Sequence, residues 1–230
     1  MKTFFIFSGK IIWLLGLFIL IIRPWACFAN EDNHWEFWHE EEAGVSLSPQ
    51  LKTKAHTEFR HRKGTLFYKH TDLSFNYFNR GNFKYGLGYR NVLNLDDGIW
   101  KKEDRIYATV IPFVKINNLT VEDKNEIEFR FFPGEPREYR YRNMIKFSHP
   151  LFVNKHKINL YTADEIFIDL NGRHKGEISR NRLYFGMNSN LSRNINLDLH
   201  YIRQSNEKKH DEGEIWHDTN VFGVELNLSF

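Results

Sequence analysis

The sequence predicts an all-β protein: a closed antiparallel transmembrane barrel of about ten strands, its small lumen filled by side chains. Three observations carry this. After residue 30, apolar residues recur at period two and no stretch sustains a helical period. The alternating segments run to about 11–14 residues, against about 5–6 in ordinary sheets and about 9–11 in a tilted membrane-crossing strand. The intervening segments alternate between short ("NRGN", "INN", "SRN") and long and charged ("NLDDGIWKKE", "PGEPRE", "NGRHKGEIS", "NEKKHDEGEIWHD"). Turns on one rim of a membrane barrel and loops on the other produce that alternation. "PLFVNKHK" at 150–157 fits poorly, because its place calls for a short turn.

The chain opens with Lys2 and Lys10, then the apolar run "IIWLLGLFILII" at 11–22, shorter than a spanning helix requires. "CFA" follows. This reads as a secretory signal over residues 1–29, cut between Ala29 and Asn30; an uncleaved anchor helix is the alternative. The signal holds Lys2, Lys10 and Arg23 and no acid. Without it, basic and acidic residues balance at 29 each, so the net charge of +3 belongs to the leader and does not mark a nucleic-acid surface. Cys27 is the single cysteine and lacks an aliphatic residue upstream of the kind a lipidated cysteine has. The mature chain therefore depends on no disulfide.

Residues 30–43, "NEDNHWEFWHEEEA", form an N-terminal segment ahead of a barrel over 44–230. Alternatively "SPQ" at 48–50 is a turn, 35–47 is a further strand, and the count approaches twelve. The ten strands are read at 44–61, 66–78, 83–95, 104–116, 119–132, 138–149, 157–170, 179–191, 194–205 and 217–230. Each puts apolar residues on one parity. Phe67, Leu73, Phe75 and Tyr77 oppose His70, Asp72, Ser74 and Asn76. Ile127, Phe129 and Phe131 oppose Glu126, Glu128 and Arg130. The last strand sets Phe222, Val224, Leu226, Leu228 and Phe230 on one face, with Glu225 on the other.

Alternation alone does not separate a membrane barrel from an exported soluble β-sandwich or lipocalin-like barrel, since both have one apolar and one polar face. Strand length, connection pattern and an aromatic share of 16% favour lipid. A mean hydropathy of −0.55 does not oppose it, because only every other barrel residue must be apolar. The polar face carries Glu58, Arg60, Arg90, Glu126, Glu128, Arg130, Arg140, Arg142, Glu165 and Arg182. Packed in a narrow lumen, these groups must pair, because unpaired buried charge is costly.

The pieces "HTDLSFNY", "KYGLGYRNV", "NEIEFRF", "YRYRNMIKF", "TADEIFID", "SRNRLYFGM", "LDLHYIRQS" and "VFGVELNLSF", in this order and spacing, resemble an uncharacterised family of bacterial outer-membrane β-barrel proteins, domain of unknown function 2490. The resemblance covers most of 35–230. It implies an outer-membrane location and a small barrel and supplies no activity. It also gives the C-terminus a role: Phe230, with Leu228 and Leu226, looks like the terminal signal that outer-membrane barrels present to their assembly machinery.

Small barrels of this membrane include lipid-modifying enzymes, so nucleophile and base sets matter. His70 and Asp72 share a face, as do Asp198 and His200. Residues two apart on a strand stand at about 6–7 Å, beyond hydrogen-bond reach unless they lean. No Ser-His-acid set stands out, and membership in the polar packing network is the plainer reading. His34, Glu36, His39 and Glu40–Glu42, and separately His210, Asp211, Glu212, Glu214 and His217, form charge clusters without regular ligand spacing, read as solvated rather than metal-binding. A porin needs a longer chain. The expectation is a structural, accessory or surface-loop-binding barrel, with an envelope-lipid-modifying enzyme as alternative. No cofactor, metal or nucleic acid is expected. Outer-membrane lipids are expected around it, and the export and barrel-assembly machineries during biogenesis; oligomeric state stays open.

Overall fold

A computed structural model of the chain describes residues 35–230, apart from 80, 154–155, 173–174 and 211–212. The signal at 1–29 with its Ala29–Asn30 cut, and His34, lie outside the described residues. Eleven strands form one closed barrel, and no helix occurs among the described residues. They are β1 (Trp35–Ser46), β2 (Leu51–Arg62), β3 (Thr65–Phe78), β4 (Phe83–Asp96), β5 (Ile99–Ile116), β6 (Leu119–Phe131), β7 (Glu138–Val153), β8 (His156–Asp169), β9 (Ile178–Asn190), β10 (Ile195–His210) and β11 (Gly213–Ser229). Every consecutive pair is antiparallel. The ring closes by a parallel seam between β1 and β11, from Trp35 opposite Asn220 to Gly44 opposite Ser229.

The count is eleven, between the ten and twelve read from sequence, and the reason is local. The segment read as one strand over 44–61 breaks at 47–50. Pro49 there lacks an amide N–H, and the Ser48 hydroxyl accepts from the amide of Leu51 at 3.0 Å. The sheet therefore takes in residues 35–43. An odd count closes only when the first and last strands run the same way, unlike the even-stranded barrels usual in bacterial outer membranes.

The alternation of short and long connections does not survive. "NLDDGIWKKE" holds a two-residue hairpin turn, with positive φ at Asp97 (50°) and Gly98 (78°); the charged residues on either side belong to β4 and β5. Lys63–Gly64 repeats that geometry. "NEKKHDEGEIWHD" is mostly paired strand of β10 and β11. In "PLFVNKHK", β7 continues to Val153 and β8 resumes at His156, which removes the misfit.

The faces are as the period requires. Among the described residues, buried positions are mainly polar or charged, while large apolar side chains such as Leu73, Phe75, Tyr85, Leu87, Ile106, Phe129, Phe147 and Phe185 stand exposed on the outside. This inverts the usual arrangement of a water-soluble fold. The outer face is not uniformly apolar. Asp123, Asn125 and Asn143 point outward on β6 and β7 and satisfy one another, Asn143 Nδ2 donating to Asp123 Oδ1 at 2.5 Å and Tyr141 OH to Asn125 Oδ1 at 2.5 Å. Asn181 donates likewise to Asp164 at 2.6 Å. Inside, Trp38, Ile202 and Val221 form a small apolar knot at the seam, with Tyr184 against it.

Candidate functional site

Two unlike walls face each other across the lumen, with a cavity of about 330 Å³ between them. The wall built by β3–β9 is the charge network. Glu128 is fully buried and accepts from Arg140 Nη2 at 2.5 Å and Arg142 Nη1 at 2.9 Å. Arg142 also reaches Glu126 at 2.8 Å and Glu165 at 2.6 Å, so one guanidinium on β7 spans three carboxylates on its two flanking strands, β6 and β8. Its planar fork makes this geometry available. Tyr184 OH and Arg182 complete Glu165, at 2.9 and 3.5 Å. Arg90 holds Asp72 at 2.8 Å, and Arg105 and Arg130 share Glu103 at 2.6 and 2.5 Å. Toward the seam, Arg60 pairs with Glu58 and lies 3.7 Å over the Trp38 ring. All ten network residues named from sequence thus point inward, and each has an ionic partner.

The opposite wall is built by β10, β11, β1 and β2. Across the parallel seam Glu40 is the register partner of Glu225, and Glu225 is in turn the partner of Asp198 on β10. One ligand atom each from Glu40, His56 and Glu225 lie within 4.8 Å of one another. His56 Nε2 is 3.2 Å from Glu40 Oε2, and His56 Nδ1 is 3.1 Å from His70 Nε2. His200 Nδ1 is 3.0 Å from Asp198 Oδ1, which also accepts from Tyr161 OH at 2.7 Å. That leaves His200 Nε2 buried, without a hydrogen-bond partner, 3.6 Å from Glu40 Oε1.

Of the two sequence-level His/acid pairs, the structure joins one. Asp198 and His200 lean together because Gly223, the register partner of His200, leaves room for the ring: a Cβ there would stand 1.9 Å from Nε2. Gly186 does the same for the Tyr161 ring. His70 and Asp72 part company, His70 toward His56 and Asp72 toward Arg90 and Tyr107. The residues lining the cavity include no serine, threonine or cysteine, so the Asp198–His200 pair has no hydroxyl or thiol nucleophile of that kind beside it.

Glu40, His56 and Glu225 escaped sequence reading as a group. Glu40 sits in the acidic run taken as one solvated cluster. Period two divides that run: Glu36, Glu40 and Glu42 turn inward, while His39 and Glu41 pair on the outside, 3.4 Å apart. The side chains of His210 and Glu214 in the other cluster, and Asp211 and Glu212 entirely, lie outside the described residues. No curated protein and no solved structure matches the chain. A family model described as a protein of unknown function, DUF2490, matches residues 35–214.

Proposed function

We propose, on the premise that the chain belongs to the DUF2490 family, that it is a small outer-membrane barrel with a structural or accessory role, its lumen closed to bulk flow by paired side chains. The observation that carries this reading is the inversion of burial. Carboxylates and guanidiniums fill the inside, and a band of Leu, Ile, Val, Phe and Tyr stands exposed outside from β3 to β9. A wall of that kind is stable where its outside meets hydrocarbon, and full closure leaves no strand edge to satisfy. Leu226 and Leu228 on the outer face and Phe230 beyond the last strand, its amide donating to Gly44 O at 2.9 Å, are the signal this reading assigns to the assembly machinery.

The test is fractionation of envelopes from expressing cells, followed by gels of boiled and unboiled outer-membrane fractions. The expected result is a band in that fraction whose migration changes on boiling. Recovery as a soluble periplasmic protein overturns the reading.

A further inference from the structure

We infer that Glu40, His56, Glu225 and His200 together bind one divalent first-row transition ion of the zinc type inside the lumen. The four donors come from β1, β2, β11 and β10, adjacent strands on both sides of the parallel seam. Around a tetrahedral zinc with ligand bonds of roughly 2.0–2.1 Å, ligand atoms stand about 3.3 Å apart. Glu40 Oε2 stands 3.2 Å from His56 Nε2, and its other oxygen, Oε1, stands 3.6 Å from His200 Nε2, both near that spacing; Glu225 offers an oxygen within 4.8 Å of donor atoms of Glu40 and His56, and His200 joins this triplet through Glu40.

His200 supplies the second, independent observation. Its side chain is 6% exposed, yet Nε2 has no hydrogen-bond partner and faces the Glu40 carboxylate. Asp198, which accepts from Tyr161 OH, faces Nδ1 and offers a proton there its acceptor, so Nε2 is the nitrogen left for a metal, the arrangement outer partners give metal-bound histidines. His70 Nε2 lies 3.1 Å from Nδ1 of His56 and orients that ring with Nε2 toward Glu40. Charge points the same way. Glu40 and Glu225 face each other directly, and among the described residues neither pairs with a lysine or arginine. Two like charges in register repel unless a proton or a cation lies between them. Two imidazoles with two carboxylates suit zinc, iron or manganese better than calcium or magnesium, which take oxygen ligands.

The full mature chain, refolded in detergent, stripped with chelator and checked for heat-modifiable migration, is titrated with Co²⁺ and then Zn²⁺. The expected result is one Co²⁺ per chain with tetrahedral visible absorption, displaced by Zn²⁺. Affinity falls about tenfold or more in Glu225→Gln and in His200→Gln, and is unchanged in Glu41→Gln, which alters the outer face of β1 beside Glu40. Should His200→Gln fail to fold, Glu40→Gln replaces it. A folded barrel that binds neither ion overturns the proposal, as a carboxyl pair sharing a proton requires. So does binding that Glu225→Gln and His200→Gln leave intact. The inference rests on the closed barrel alone, so its failure leaves the membrane reading standing, and a soluble location leaves the ion site standing.

Discussion

His200 shows how much one missing side chain can decide. Gly223 lies in ordinary strand conformation, so nothing in its backbone demands glycine; the ring opposite does. Gly223→Ala is expected to cost about 1–3 kcal/mol, because the imidazole must leave its place or the strands must part. In a His200→Ala background that cost should shrink, and a double-mutant cycle of urea unfolding measures the difference. An equal cost in both backgrounds would show that the glycine serves the sheet and not the ring. Parity alone placed Asp198 and His200 on one face. Their 3.0 Å contact was not legible, because period two fixes the side of a residue and says nothing of its lean. Glu225 was readable as inward from its parity, whereas Glu40 was taken into a solvated cluster ahead of the barrel. Their meeting depends on which strands adjoin, and the parallel partner of β1 leaves no turn signal in the sequence.

At the scale of the element, β6 and β7 pose the sharpest question, since Asp123, Asn125 and Asn143 look outward. Asn143 Nδ2 donates to both Asp123 and Asn125, at 2.5 and 3.2 Å. Surrounded by lipid, Asn143→Ala strips the Asp123 carboxylate of its Asn143 donor while Asn125 keeps Tyr141 OH, and a loss of about 1–3 kcal/mol is expected on urea unfolding from vesicles. Facing water, the same change should fall within about 0.5 kcal/mol. The variant thus reports what surrounds this part of the wall. The strands themselves were legible because each alternates over many residues. Two signals were misread. Charge in "NLDDGIWKKE" suggested a loop, whereas "DG" between alternating segments is a tight-turn signal. "EDKNE" at 122–126 is polar on both parities, so the outer face of β6, apolar at Leu119, Val121, Ile127, Phe129 and Phe131, is interrupted at Asp123 and Asn125.

For the whole molecule, the lumen takes the place of a hydrophobic core. Arg142, through Glu126, Glu128 and Glu165, ties β6, β7 and β8 together. Arg142→Ala abandons these buried carboxylates, and a cost of roughly 3–5 kcal/mol is expected, read as a lower urea midpoint of the folded barrel. A shift below about 0.5 kcal/mol would mean that water already bathes them. The odd strand count has a different consequence. A chain that crosses a wall eleven times finishes on the far side from where it started. In a membrane this would put the two ends of the strand run on opposite sides, whereas an even-stranded barrel returns both to one side. Trp35, where β1 begins, and Phe230, beyond the end of β11, therefore stand toward opposite rims of the wall, so a partner that captures the C-terminal strand approaches from the side opposite to the start of β1.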